Sequence, residues 1–412
     1  MRARRHIGGG DAKINTASQR EPSLSKLVLS SESLNGILDG KRASRDDLLQ
    51  AYAESLDDPR DLLGLAQTLR EKNKGRTITF SKKAFFNAIN MCRDTCSYCT
   101  YRAEPGDAKA SMMPVSRVRE LLQMAKRYRC VEALFVTGER PEERYPQVRS
   151  WLLREGFSGT AEYLACCSQL ALDEGLFPHT NAGNLHADEL HLLKGTNVSL
   201  GLMLESSSAR LAERGMPHHQ APSKVPAARL EVLENAGRLR IPMTTGILVG
   251  IGETSEEMID SILAMRSLHE RYGHIQEIIL QNFQPEPGTA MGRRPGAQAA
   301  YFTRAVALAR IAMPDMNIQV PPNLSPDSYQ DFLLAGINDW GGISPITPDF
   351  VNPEFPWPQL ARVDGLSRAA GFELKCRFPV YPEFAQMVPQ DLRERMLPMQ
   401  DDCGLVREDY WR

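Results

Sequence analysis

The sequence predicts an α/β fold: a TIM-type (βα)8 or near-complete barrel, with a helical cap before it and an extension after it. Two observations carry this expectation. Short apolar segments alternate with amphipathic helical ones over roughly 250 residues, which implies a parallel sheet, and about eight such repeats are enough to close a barrel. Many of the apolar runs end in glycines and polar side chains, the composition expected where the loops of a barrel build a site. A doubly wound open sheet is the alternative for the same alternation.

Along the chain, residues 1–23 are Arg-rich and turn-rich without apolar periodicity, which reads as a disordered leader; a cleavable organelle transit peptide is the sharper alternative. Residues 24–76 read as the helical cap, with PRDLLGLAQTLREKNKG apolar at helical spacing and Gly75 as a stop. The barrel is expected over 77–345, with strands at Ala84 to Asn90, Val131 to Thr137, Phe177 to Asn181, Val198 to Leu204, Met243 to Val249, Ile275 to Asn282, Asn317 to Val320 and Ile337 to Asp339. Helices are expected at Ser116 to Arg129, Lys224 to Leu239, Ser255 to Tyr272 and Ala299 to Ala312. The extension, 346–412, opens rich in Pro and aromatics and continues with a helix-like LARVDGLSRAAG and a strand near Glu373 to Phe378, packing on the barrel.

Composition narrows the function classes. With 412 residues, 42% of them apolar, the chain can bury a sizeable core. Lys and Arg number 49 against 51 Asp and Glu, a net charge of -2, so the global footprint that nucleic acid selects is missing. The longest apolar run, Ile241 to Ile251, is short and carries Pro, Thr and Gly, which argues against a membrane span and for a cytoplasmic protein. Three of the eight cysteines fall between Cys92 and Cys99 while the others scatter, a pattern that favours metal binding over a disulfide framework.

Cys92, Cys96 and Cys99 project from the first strand-to-helix loop. Three thiolates in one short loop can hold three irons of a [4Fe-4S] cube and leave the fourth open to the amino and carboxylate groups of S-adenosylmethionine (SAM). A structural zinc site needs a fourth ligand at matched spacing, and a redox Cys-Xaa2-Cys leaves Cys92 idle. Tyr98 is placed to lie against an adenine, or simply to pack. Gly138 and Glu139 close the second strand, where the glycine admits close backbone approach and the carboxylate can accept from the SAM ammonium; a solvated turn Glu is the plain alternative. Glu205 at a later strand end suits ribose hydroxyls and Arg229 suits the SAM carboxylate, each otherwise an ordinary strand-end charge or surface Arg; Gly246, Gly250 and Gly252 suit a strand that leaves room for adenine, with a dinucleotide fingerprint as the weaker alternative. Further strand ends carry His179, Asn181, Asn184, Gln281, Asn282, Gln319, Asn323, Asn338, Asp339 and Trp340. Singly these are loop caps; gathered at one barrel mouth they describe an amide-rich pocket for a neutral, hydroxylated heterocycle.

The segments CRDTCSYCTYR, PHTNAGNL, TTGILVGIGET, QNFQPEPGTAM and WGGISPITPDFVNPEFPWP resemble the radical SAM synthases of 7,8-didemethyl-8-hydroxy-5-deazariboflavin (FO), and the likeness runs from about Thr77 to Phe384. That family combines an adduct-forming and a ring-closing activity, and this chain looks like the ring-closing partner. The resemblance implies a [4Fe-4S] cluster and SAM as cofactors and the hydroxybenzyl-ribityl-diaminouracil adduct as substrate. It also implies an adduct-forming synthase subunit and a flavodoxin- or ferredoxin-type reductant as partners. One departure stands out: the superfamily's Gly-Gly-Glu is here Thr137-Gly138-Glu139. The rival readings are the adduct-forming partner, a related menaquinone-pathway enzyme, and a noncatalytic iron–sulfur carrier.

Overall fold

The structure is a computed structural model that describes residues 32–412; the leader expected over 1–23 lies outside them. Three helices come first: α1 (Glu32–Leu38), α2 (Arg45–Asp57) and α3 (Arg60–Lys74). Ser44 caps α2 in a reciprocal box with Asp47, which satisfies two amides that have no partner inside the helix. Gly75, at φ 59, ends α3 in a backbone region that costs an L-residue more than glycine.

The barrel follows. Its strands and outer helices are β1 (Thr77–Ile89), α4 (Val115–Arg127), β2 (Glu132–Thr137), α5 (Pro141–Arg144), α6 (Pro146–Glu155), α7 (Thr160–Asp173), β3 (Phe177–Asn181), α8 (Ala187–Lys194) and β4 (Ser199–Gly201). The second half runs α9 (Pro226–Arg238), β5 (Met243–Val249), α10 (Ser255–Tyr272), β6 (Ile275–Asn282), α11 (Ala299–Ala312), β7 (Asn317–Gln319) and β8 (Asp339–Ile343). Every pairing is parallel, in the order β2 through β8 and then β1, and β1 also pairs with β2, which closes eight strands into a ring. Alternate residues face inward and outward along each strand. In β2, Glu132, Leu134 and Val136 line the interior while Ala133 and Phe135 join the core under the helices.

The extension adds α12 (Leu360–Ala369), β9 (Glu373–Cys376), α13 (Gln390–Met396) and α14 (Glu408–Trp411). Strand β9 pairs with Thr77–Phe80 of β1 before β2 takes over the same strand from Lys83. This is why β1 is long and begins well before Ala84. Buried arginines tie the barrel's lower end together. Arg70 of α3 donates to the Ile337 and Thr77 carbonyls, at 3.1 and 2.8 Å, and Arg310 of α11 donates to the Gly336 and Met316 carbonyls and to Asn338 Oδ1. Each fully buried guanidinium thereby meets the carbonyls it needs.

One expectation is overturned here. A strand over Ile337 to Asp339 would place Asn338, Asp339 and Trp340 at the barrel mouth; the strand is Asp339–Ile343, so these residues lie at its start, the closed end. Gly341 and Gly342, beyond the expected strand, lie inside β8. A Cβ on Gly341 would come within 2.2 Å of the Gln319 amide, and one on Gly342 within 2.2 Å of Lys83 Cδ. The glycines clear space for side chains crossing the interior.

Candidate active site at the barrel mouth

The loop after β1 carries the three cysteines, all free and all half-buried. Its backbone is pinned on several sides: Arg93 N–H to the Glu139 carbonyl (2.7 Å), Thr95 N–H to Gln220 (2.8 Å), Ser97 N–H to Pro217 (2.9 Å), and the Ser97 carbonyl to Met291 N–H (3.0 Å). The Glu139 amide donates to Cys92 Sγ at 3.1 Å, a bond that favours the thiolate. Burial pushes the Cys92 thiol up to about 11 and Cys96 higher still, so these sulfurs wait for a metal to displace their protons. Among the described residues no three His, Cys, Asp or Glu side chains meet at one point as a single ion requires. A four-iron cube instead takes each thiolate on a different iron, so its protein ligands stand apart. Three unpaired thiols on one fixed loop fit that group.

Around the loop lie buried polar atoms with no protein partner: Asp94 Oδ2, Thr137 Oγ1, Asn184 Oδ1 and Glu205 Oε2. Such atoms cost stability unless a ligand or solvent pairs them, and their grouping beside the thiols suits a polar cofactor with an amino acid end and ribose hydroxyls. Glu205 has φ 65, a left-handed backbone rare outside glycine and found disproportionately at functional sites. Its amide donates to Gly246 O and its carbonyl accepts from Leu248 N. Lys224 Nζ pairs with Oε1 at 2.5 Å, and that cation holds the carboxylate below its usual range despite burial. Oε2 stays open.

The other residues expected around SAM are distributed unevenly. A Cβ at Gly138 would lie 2.0 Å from the Met91 carbonyl and 2.8 Å from Cys92 Cα, so the glycine is what lets β2 approach the cysteine loop. Glu139 is buried and accepts the Asn184 amide on both oxygens, at 3.1 and 3.0 Å; burial raises it, with Arg229 opposing. Arg229 is not free for a carboxylate ligand: it donates to the Ser223 and Met203 carbonyls and stands 3.8 Å from Glu139, so it serves as that residue's counter-ion. Tyr98 bonds to His218 Nε2 at 3.0 Å and packs on a small apolar cluster of Leu211, Ile251, Phe283 and Met291. Gly246 leaves no room for adenine at its α-carbon, where a Cβ would strike the Ile279 carbonyl at 2.0 Å, and at Gly250 it would meet Ala297 at 2.6 Å. These glycines serve close packing.

Inside the barrel is a cavity of about 170 Å³ that opens at the mouth. Of the residues expected to meet substrate, His179, Asn181, Gln281, Gln319 and Trp340 border it. The Trp340 indole is turned outward, its N–H donating to Ser367 at 3.1 Å and its ring meeting Tyr329 edge-on. Asn184, Asn282 and Asn323 do not border it: their amides donate to Ser223 O, Leu324 O and Asp349 Oδ2 and hold loops in place. His179 has one readable tautomer. Ser199 Oγ donates to the Pro379 carbonyl (2.5 Å), so it accepts from His179 Nδ1 at 2.7 Å, leaving Nε2 as an acceptor in the cavity. Burial lowers this imidazole to about 4, so it is neutral at ordinary pH.

Sequence reasoning missed the charged wall of that cavity. Lys83, Glu132, Glu277, Asp349 and Arg377 all line it. Arg377 binds Asp339 through two nitrogens (2.7 and 3.0 Å) and Glu277 through one (2.8 Å), and Tyr381 donates to Glu277 at 2.6 Å. Gln319, with its amide oriented by hydrogen bonding, donates to Glu277 at 3.1 Å. A signal was present: a charged residue inside a strand that is otherwise apolar, as in FSKKAFF and VEALFVT. The segment 344–358 folds across the mouth, contributing Asp349, Val351, Asn352 and Trp357 to the lining, and its Val351 carbonyl accepts from Thr100 Oγ1 at 2.6 Å. Cavity and cysteine loop therefore adjoin.

Comparison with known proteins agrees with this geometry. Residues 86–265 match the radical SAM superfamily model. The chain is 43% identical over 333 residues to the 7,8-didemethyl-8-hydroxy-5-deazariboflavin synthase of Methanopyrus kandleri, covering 80% of this chain and all of that one. It is 45% identical to the synthase of the same name from Methanococcus maripaludis strain C6, covering 78% and 90%. Against the FO synthase of Streptomyces coelicolor it is 43% identical over 81% of its own length but only 40% of the other chain's. The FeFe-hydrogenase maturase HydG from Carboxydothermus hydrogenoformans shares the fold, with a TM-score of 0.67 at 18% identity over 88% of this chain and 86% of that one. Methylornithine synthase does so too, at 0.66 and 17% over 83% and 97%. The chain belongs to the FO synthases, radical SAM enzymes of deazaflavin biosynthesis that work with a [4Fe-4S] cluster and SAM.

Proposed function

We propose that this chain is the ring-closing synthase. It takes 5-amino-5-(4-hydroxybenzyl)-6-(D-ribitylimino)-5,6-dihydrouracil and SAM to FO, 5′-deoxyadenosine, methionine and ammonia, and so acts formally as a lyase. One observation carries the reading: the barrel cavity next to the cysteine loop offers neutral amides, a neutral histidine and Arg377 paired with Glu277 and Asp339, the surroundings that a neutral, polyhydroxylated heterocycle needs. Relatives that match over 90% or more of their own length and are named for making the deazariboflavin lend support.

When bound, the cluster and SAM supply a carbon-centred radical that removes hydrogen from the substrate. The remaining work falls to the chain's own residues. Cys92, Cys96 and Cys99 hold the cluster. Glu205 Oε2 takes the ribose hydroxyls, and Glu139, steadied by Arg229 and the Asn184 amide, takes the ammonium. Tyr98 and its apolar neighbours present a face to the adenine. Asn181, Gln281 and His179 Nε2 orient the adduct, and the 344–358 segment keeps bulk water out. An adduct-forming synthase subunit supplies the substrate and a flavodoxin- or ferredoxin-type protein the electron.

The test is incubation of reconstituted protein with preformed adduct, SAM and dithionite, read by FO fluorescence and 5′-deoxyadenosine. FO should form. Adduct formation from tyrosine and the ribityl-diaminouracil, with no FO from adduct, would overturn the reading in favour of the partner activity.

A further inference from the structure

The cavity holds two charged side chains whose hydrogen-bonding capacity is unspent. Lys83 and Glu132 are register partners on β1 and β2, both buried and both facing the interior. Among the described residues neither makes a side-chain hydrogen bond or an ion pair, with each other or with anything else. Lys83 Nζ instead sits 4.4 Å above the Trp357 ring. Its path is built: a Cβ on Gly342 would lie 2.2 Å from Lys83 Cδ and 2.8 Å from Nζ, so only glycine permits the lysine to lie there. The other charges around the cavity are occupied. Arg377 is shared by Asp339 and Glu277, and Asp349 accepts from Asn323 and from the Val351 and Asn352 amides.

A buried ammonium and a buried carboxylate held near one another without touching cost desolvation and recover little Coulomb energy. The arrangement makes sense if a ligand completes both. That ligand must present an acceptor to Lys83 and a donor to Glu132 side by side, and carry little net charge, since the pair is already neutral together. A phosphate fits badly beside Glu132. A phenol offers a single O–H and sugar hydroxyls are not fixed in a plane. An imide edge, with its N–H flanked by carbonyls, meets every requirement.

We propose that Lys83 and Glu132 form a donor–acceptor clamp for the pyrimidinedione edge of the substrate, Lys83 Nζ donating to a ring carbonyl and Glu132 accepting the imide N–H. This rests on the ring-closing reading, because it assumes a substrate with that ring. The clamp fixes the heterocycle at the inner wall and leaves the rest of the molecule directed toward the mouth.

The test uses FO, which carries the same edge and is fluorescent, and its N3-methyl derivative, which lacks the imide N–H. Binding to the cluster-reconstituted protein is measured by fluorescence titration. The wild type should prefer FO by about tenfold or more, the value of one hydrogen bond to a buried charge. Glu132→Ala should bind both compounds within about twofold, and Lys83→Met should weaken both about tenfold. Failure of FO to bind, equal binding of the two by the wild type, or discrimination that survives Glu132→Ala would overturn the clamp. The wild-type ratio decides alone if a variant fails to fold. Conversion of adduct, read in parallel, separates the two failures: FO production without discrimination removes only the clamp, whereas absence of both removes the ring-closing reading as well.

Discussion

Replacing Arg377 with Met should cost about 3–5 kcal/mol of folding stability at pH 8, the usual result of removing one partner from a buried ion pair. The guanidinium spans the Asp339 and Glu277 carboxylates and lies 4.5 Å over the Tyr381 ring. Asp339, Glu277 and Arg377 are 0%, 3% and 4% exposed, so water cannot take the arginine's place. The cost should also depend on pH. Burial raises Glu277 to about 7 even with Arg377 opposing. A carboxyl raised in the fold stabilises below its unfolded pKa and loses that contribution as pH rises through the folded value. Without the arginine the folded pKa moves further up, so the variant falls further behind wild type above pH 7. At pH 5 Glu277 is protonated in both and only Asp339 lacks its partner. A further rise of one pKa unit makes the deficit about 1 kcal/mol larger at pH 8 than at pH 5, because the variant's carboxyl is then only half ionised. Urea unfolding of the apoprotein followed by circular dichroism measures this, and Glu277→Gln in the Arg377→Met background should recover part of the pH 8 loss. A deficit under about 1 kcal/mol, or one flat from pH 5 to 8, would refute the account of the barrel floor.

Three further outcomes follow from the mouth. Cys96→Ala should lose cluster absorbance and 5′-deoxyadenosine formation while the stability of the apoprotein changes by less than about 1 kcal/mol, because the side chain is only half-buried. Gly138→Ala drives a methyl group into the Met91 carbonyl and should cost about 1–3 kcal/mol and reduce iron content after reconstitution, since the displaced segment leads directly into Cys92. Glu205→Gln should leave iron content unchanged and weaken SAM binding about tenfold, measured by equilibrium dialysis, because it removes the charge from Oε2 and the partner of Lys224.

The ring of strands was legible because each βα repeat carries its signal locally. Phe177–Asn181, Met243–Val249, Ile275–Asn282, Ser255–Tyr272 and Ala299–Ala312 fall where periodicity and turn residues put them. Two strands were misjudged for physical reasons that do not show locally. The expected start at Ala84 left the Lys82-Lys83 pair outside the strand, yet Lys82 turns out to the Trp411 carbonyl and Lys83 turns in. The expected end at Asp339 left Gly341-Gly342 outside as well, yet these glycines lie within β8 and make room for Gln319 and Lys83. The cysteine motif located the mouth because all three cysteines share one short loop. The charged floor joins Glu277, Asp339 and Arg377 from separate segments, and no local pattern announces a partner so far away in the chain.

The depth of the cavity constrains how substrate and cofactor share it. Six residues of β1 separate Lys83 from Ile89, where the strand gives way to the cysteine loop, or about 20 Å along the strand and about 16 Å along a barrel axis tilted by some 36°. If Lys83 and Glu132 hold the substrate, and Glu205 and the thiols the cofactor, the two lie end to end rather than side by side. Near the cysteine loop, Tyr98 packs with Leu211, Ile251, Phe283 and Met291, beside the Glu205–Lys224 and Glu139–Arg229 pairs; at the opposite end Arg377 neutralises the two floor carboxylates. On the ring-closing reading, the mouth holds the cofactor and the polar groups deeper in the barrel orient the ring. On that reading, the length of the strands keeps recognition and radical chemistry apart within one barrel.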